Sequence, residues 1–208
     1  MKKMICTLLA LAMMLCSAVA LAEAVAPQFS FDPNEGTYFA AFTKDNARDG
    51  MLNEVKLYTA DIYDLVEINK LAKGDTFEAE GKTVTVETVK TNEYGDIEIN
   101  GGFGAENGYT LTTREDTNGF VTTGDNDAQT YTERGTANLA LAENVTFTDN
   151  FEIDAAALIA GKEPVKVEGI ENVIKAINEI AFDMFTCSNT TVRIEDGKVV
   201  EIVRNFMP

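Results

Sequence analysis

Short segments with alternating or β-branched side chains, separated by turn residues, constrain the fold of this chain most strongly. Residues 83–89 are rich in β-branched side chains, and shorter segments of the same kind follow at 96–99, 109–113 and 119–122. They recur about every 8 to 12 residues with Gly, Asn and Asp between them, which is typical of barrels and sandwiches. We therefore predict a mainly β or α+β fold, an antiparallel β-barrel or sandwich.

The same alternation predicts four further strands, at 37–42, 54–62, 76–79 and 139–147. In the last of these, four apolar side chains share one parity and should face inward: Leu139, Leu141, Val145 and Phe147. Asn144 predicts a kink in that strand. Within 83–89 the apolar pattern shifts phase between Val86 and Val89, which predicts a bulge or a strong twist.

The C-terminal part of the sequence has a helical pattern. Asp154 as N-cap and Gly161 as terminator predict a short helix over 154–161. A longer helix is predicted over 169–185, where one stripe follows the helical period: Ile170, Val173, Ile174, Ile177, Ile180, Ala181 and Met184. We expect this stripe to pack on the sheet, because a sheet face needs a cover.

The dipeptide Asp196-Gly197 predicts a C-terminal β-hairpin, which we also expect to pack on the β body. A two-residue turn would pair Val192 with Glu201. A three-residue loop with a glycine bulge would collect four apolar side chains on one face, and we favour that register. Those side chains are Val192, Ile194, Val200 and Ile202.

The N-terminal segment, residues 1–24, is predicted to be a secretory signal peptide. Lys2 and Lys3 precede an apolar stretch, and small residues at Ala20, Ala22 and Ala24 fit a cleavage site. The alternative is that this apolar stretch is kept as a membrane anchor. Cleavage would make the protein extracellular, either free or associated with the cell surface.

The remaining residues, 25–208, are predicted to form one β-rich secreted domain. Its β body should span 53–150, and the helix and hairpin should occupy 151–208. This length is enough to bury a real hydrophobic core.

The residue types that are missing limit the chemistry of this chain. It contains no histidine, which excludes Ser-His-Asp and Cys-His catalysis and histidine metal sites. After cleavage Cys187 would be the one thiol, so no internal disulfide can form; we interpret it as a small buried or half-buried hydrophobe. The formal charge of −17 disfavours nucleic acid and anionic membranes as partners. We assign no catalytic, cofactor-binding or metal-ligating residue.

Acidic loops could in principle hold calcium. The segment 45–50 fails the EF-hand pattern, because Ala47 and Lys56 occupy two ligand positions. Asp125-Asn-Asp127 with Glu133, and Asp116-Thr-Asn118, could form an irregular site. With 34 acidic residues in the chain, such clusters also arise as solvated loops.

Five tyrosines lie in or beside the predicted strands: Tyr58, Tyr63, Tyr94, Tyr109 and Tyr131. Tyrosines in sheets are usually half-buried, with the hydroxyl exposed to water. If several of them shared one exposed face, they would form a platform for a ligand.

The glycine-rich stretch Asn100-Gly-Gly-Phe-Gly-Ala-Glu-Asn-Gly108 comes one residue short of a dinucleotide-binding fingerprint. A phosphate-binding loop opens a helix, whereas the residues after this stretch, 109–113, predict a strand. Glu106 would also repel a pyrophosphate. We therefore predict a long, mobile, exposed loop between antiparallel strands, of a kind that often carries binding function.

The sequence resembles two groups of proteins. Its Met1-Lys-Lys start, Ala-Leu-Ala cleavage region and low cysteine content are similar to those of small acidic proteins exported by Gram-positive bacteria. Residues 71–102, where a Gly-Asp turn leads into paired strands, are weakly similar to SH3-like β-barrel modules. The first resemblance implies export, and neither implies an activity.

These observations favour a secreted, non-catalytic module that binds an extracellular protein or glycan. One alternative is a carboxylate-dependent hydrolase acting on wall polymer or polysaccharide. The other is a calcium-stabilised structural or adhesive domain.

Overall fold

The computed structural model describes residues 24–27, 31–114, 119–123, 129–151, 161, 163–181 and 183–205. Several predicted features lie outside these ranges. They are residues 1–23 of the signal peptide, the helix at 154–161 up to residue 160, and the acidic clusters at 116–118 and 125–127.

The described part of the chain is mainly β, as the sequence predicts. Its strands are β1 (Gly36–Ala41), β2 (Ala47–Arg48), β3 (Met51–Ala60), β4 (Ile62–Tyr63), β5 (Thr76–Ala79), β6 (Lys82–Thr85), β7 (Val89–Thr91), β8 (Ile97–Ile99), β9 (Tyr109–Arg114), β10 (Gly119–Thr123), β11 (Tyr131–Asp149), β12 (Val165–Glu168), β13 (Thr190–Glu195) and β14 (Lys198–Arg204). Its helices are α1 (Leu65–Ile68), α2 (Ile170–Glu179) and a 3-10 turn (Lys44–Asn46).

Seven strands form a mixed sheet in the order β12-β11-β14-β13-β1-β3-β2. Strand β11 also pairs with β3, so this sheet nearly closes into a ring, and we call it the ring sheet. Residues 131–140 of β11 pair antiparallel with β3, and residues 140–149 pair in parallel with β14. The β11–β14 register shifts between Leu141 and Thr146, around the predicted kink at Asn144. One long, irregular strand thus connects both sides of the ring.

The ring sheet encloses the larger hydrophobic core. The four apolar side chains of β11 that share one parity are all buried there, which confirms the predicted inward face. They pack with buried side chains from β3, from the C-terminal hairpin and from α2.

The C-terminal hairpin lies within the ring sheet, where β13 pairs with β1 and β14 with β11. The favoured three-residue loop is wrong, because Ile194 pairs with Val199 across a two-residue turn. Val200 is then left unpaired as a bulge, and Val192 pairs with Ile202. The bulge still places four apolar side chains in the core, but Val199 takes the place expected for Val200.

Helix α2 covers the ring sheet with the predicted stripe, and Val173 and Ile177 are completely buried. The helix is shorter than predicted, because Ile180 already has an extended backbone. The following residues bring Phe185 against Phe42, with ring centroids 4.4 Å apart, and the Phe42 N–H donates to the Phe185 carbonyl. Met184, expected on the stripe, is exposed. A tertiary contact therefore ends the helix.

Between β3 and β11 the chain builds a second layer, residues 62–123, which we call the inserted region. Its five-stranded sheet has the order β4-β10-β9-β8-β7, and the β5–β6 hairpin packs against it. Tyr63, Phe77, Ile99 and Leu111 are fully buried between them.

The phase shift within 83–89 does not mark a bulge. Strand β6 belongs to the two-stranded sheet and β7 to the five-stranded sheet. Val86 lies between them and is buried. The shift therefore marks the point where the chain passes from one sheet to the other.

Among the described helices, none combines the length and apolar character needed to cross a membrane.

Candidate functional site

The glycine-rich stretch, residues 100–108, joins β8 to β9 in the inserted region, and we call it the glycine loop. A strand follows it, as predicted, so it is not a phosphate-binding loop at a helix start. Asn100 and Asn107 both have φ of 53°, a left-handed conformation that asparagine tolerates. A Cβ at Gly108 would lie 2.1 Å from the Gly102 carbonyl oxygen, so glycine is required there.

The glycine loop is exposed over most of its length, as predicted, and hydrogen bonds fasten both of its ends. The Asn100 Oδ1 accepts from the backbone N–H groups of Glu87 (2.7 Å) and Thr88 (3.2 Å). Its Nδ2 donates to the carbonyls of Thr85 (2.9 Å) and Asn107 (3.1 Å). One side chain therefore fixes both ends of the loop to the β6–β7 connection.

A groove of about 460 Å³ opens between the glycine loop and the β6–β7 connection. Its walls carry only polar side chains: Thr85, Glu87, Thr88, Asn100, Glu106 and Asn107. The volume is within the range of small-molecule sites, although the lining is more polar than is usual for them.

The groove carries hydroxyl, amide and carboxylate groups that suit a polyhydroxylated ligand. In the described part of the structure, Thr88 and Glu106 make no side-chain hydrogen bond, so both can bind a ligand. Glu87 forms an exposed ion pair with Lys73 at 3.5 Å. Two carboxylates in the lining disfavour a phosphate or another anion.

Exposed aromatic side chains lie on the loops at both ends of β8. Phe103, on the glycine loop, has 53% of its surface exposed, and Tyr94, on the opposite turn, has 83%. Of these two aromatic rings, only Phe103 lies on the loop that forms the groove. An exposed ring beside polar groups can stack on the apolar face of a sugar.

The other tyrosines do not form a shared platform. Tyr63 and Tyr109 are buried in the core of the inserted region, and Tyr58 and Tyr131 are half-buried in the ring sheet. Burial raises the pKa of Tyr109 to about 12, assisted by the neighbouring Glu80 carboxylate. Burial likewise raises the pKa of Tyr58 to about 12, assisted by Glu133.

Among the described residues, the buried carboxylate Asp61 most resembles a catalytic acid. Its side chain is completely buried, and desolvation raises its pKa. Glu80 lies near it on the β5–β6 turn. Because Asp61 has no exposed surface, it cannot touch a substrate in this conformation, and this pair does not form an active-site cleft.

Neither Cys187 nor a metal site adds a reactive centre in the described residues. Cys187 is half-buried, and burial raises the pKa of its thiol, which opposes thiolate formation. No group of three or more acidic or thiol side chains there is arranged to hold a metal ion. Of the predicted calcium ligands only Glu133 is described, and it accepts hydrogen bonds from Lys56 and Tyr58.

Sequence reasoning singled out the glycine loop but missed its partners in the groove, Thr85, Glu87 and Thr88. They belong to a segment that we interpreted as one strand, and its sequence carries no signal that it faces the loop. Asp61 was also missed, although an acid between Ala60 and Ile62 indicates a buried carboxylate.

Fold and groove together define a mainly β protein with a ring sheet and an inserted, groove-bearing layer. No protein-family model matches the chain, and comparison with curated proteins and with solved structures finds no similar protein.

Proposed function

We propose that this chain is a secreted, non-catalytic module that binds a glycan at or outside the cell surface. The observation that carries the proposal is the groove between the glycine loop and the β6–β7 connection, with its polar lining. The exposed Phe103 lies on the same loop. The predicted signal peptide supports an extracellular location.

A glycan is favoured over a protein partner because of the groove's size and chemistry. Hydroxyl, amide and carboxylate groups can each bond to sugar hydroxyls, and about 460 Å³ suits a few sugar rings. The strongly acidic charge of the protein also disfavours phosphate-rich ligands and nucleic acid.

Export is tested by expressing the full chain and sequencing the N-terminus of the protein recovered from the medium. We expect a start at Glu23 or Val25, after either small-residue site. Protein that stays with the cells and still begins at Met1 would refute secretion.

Binding is tested by applying the exported protein to an array of cell-wall and host glycans. We expect Phe103→Ala to lower the signal about tenfold and Tyr94→Ala to leave it unchanged, because stacking on a ring contributes about 1 kcal/mol or more. Equal loss from both variants, or no binding at all, would contradict the proposal. Turnover of a glycan that one Asp or Glu substitution abolishes would instead establish a hydrolase.

A further inference from the structure

Asp61 lies where the chain leaves the ring sheet for the inserted region, between β3 and β4. Its backbone N–H donates to the Thr130 carbonyl (3.0 Å), and its carbonyl accepts from the Thr122 N–H (3.2 Å). The Thr130 N–H in turn donates to the Thr122 carbonyl (3.3 Å), which closes a cycle of three residues. The strands of both layers therefore meet at this residue.

The side chain of Asp61 extends the junction to the β5–β6 turn. One carboxylate oxygen lies 2.5 Å from Thr132 Oγ1, and the other accepts from the Glu80 N–H at 3.0 Å. The Gly81 N–H donates to the same Thr132 hydroxyl at 3.0 Å. Asp61 and Thr132 thus hold both backbone amides of the turn against the start of β11.

The groups around Asp61 do not neutralise a negative charge. The β5–β6 turn contributes the Glu80 carboxylate, which raises the pKa of Asp61 further, and β4 and β9 contribute the phenols of Tyr63 and Tyr109. Strands β10 and β11 contribute uncharged threonines. Hydrogen bonds from Thr132 and the Glu80 N–H favour the ionised form, but the cost of desolvation is larger.

We propose that Asp61 is a proton-controlled latch, which holds the β5–β6 turn to the ring sheet when protonated and releases it when ionised. A protonated Asp61 can donate to Thr132 Oγ1 while accepting from the Glu80 N–H, so every contact of the latch is kept. An ionised Asp61 is a buried charge whose hydrogen bonds do not offset the cost of its desolvation, and opening of the turn to water relieves that cost.

The direction of the pH dependence follows from the raised pKa. An acid that is harder to ionise in the folded state stabilises the fold fully below its unfolded pKa, and this contribution is lost as pH rises through the folded pKa. Above that point, closure of the latch weakens tenfold for each unit by which the folded pKa exceeds the unfolded one. This loss runs opposite to the behaviour of a salt-bridged carboxylate.

The test is amide hydrogen exchange of the full chain by NMR, with the Glu80 and Gly81 protection factors measured across acid to neutral pH. We expect wild-type protection at both amides to fall as pH rises, while Leu57 in the ring sheet stays protected. Asp61→Asn imitates the protonated acid, so protection should become independent of pH. Asp75→Asn is the matched control, because Asp75 also accepts a backbone N–H, from Ala72 at 2.8 Å, outside the latch.

Two results would overturn the proposal. One is the same pH profile in the wild type and Asp61→Asn. The other is protection at Glu80 and Gly81 that rises with pH. If Asp61→Asn fails to fold, Thr132→Val decides instead: it removes the acceptor for the Gly81 N–H, so Gly81 protection should be low at every pH, and unchanged protection would refute the latch.

Discussion

Replacing Asn100 tests whether one side chain organises the groove. Its amide makes four hydrogen bonds to backbone groups, two accepted and two donated. These bonds are exposed, so each should contribute about 0.5 kcal/mol, the low end for protein hydrogen bonds, or about 2 kcal/mol together. The left-handed backbone adds about 1 kcal/mol of strain for alanine. We therefore predict that Asn100→Ala destabilises the protein by about 3 kcal/mol.

Asn100→Gly separates the two contributions. Glycine tolerates the positive φ but makes none of the side-chain bonds, so it should cost about 2 kcal/mol, which is about 1 kcal/mol less than alanine. Urea unfolding of the wild type and both variants measures these differences. A change below about 0.5 kcal/mol for Asn100→Ala would refute the reasoning, because it would mean that the amide network contributes almost nothing.

Four further substitutions test the packing of the fold by urea unfolding. Asp149→Ala should cost about 3 kcal/mol, because it removes the carboxylate that accepts from both Nε and Nη2 of Arg204, a charged side chain that is only 3% exposed; a loss below about 1 kcal/mol would contradict this. Thr122→Val should stabilise the protein by about 1 kcal/mol, because the buried Thr122 hydroxyl has no hydrogen-bond partner within the described residues; destabilisation would show that the hydroxyl is bonded. Ile177→Ala should cost about 3 kcal/mol and the half-buried Ile174→Ala clearly less, and equal losses would place α2 differently.

Local sequence patterns predicted most strands because each pattern has a local cause. The parity of Leu139 and Phe147 follows from strand geometry, and Asp196-Gly197 is intrinsically suited to a tight turn. These features hold whatever the strands pair with.

The remaining features depend on contacts between distant residues. The end of α2 is set by Phe185 meeting Phe42, and the bulge at Val200 is set by the ring core that the hairpin enters. The groove depends even more strongly on contacts between distant residues. Asn100 fastens the glycine loop to Glu87 and Thr88, which belong to a segment whose own pattern indicates only a strand.

The most direct test of glycan binding in the groove uses Thr88 and Glu106, whose side chains make no hydrogen bond within the described structure. The double variant Thr88→Ala/Glu106→Ala removes two groups available to a ligand without touching the Asn100 network. Glu93→Ala, on the turn at the other end of β8, is the control for the loss of one charge. On the glycan array, we predict that the double variant loses at least about 90% of the wild-type signal, which corresponds to about 1.4 kcal/mol, and that Glu93→Ala retains it. Wild-type binding by a folded double variant would contradict the assignment of the groove as the binding site.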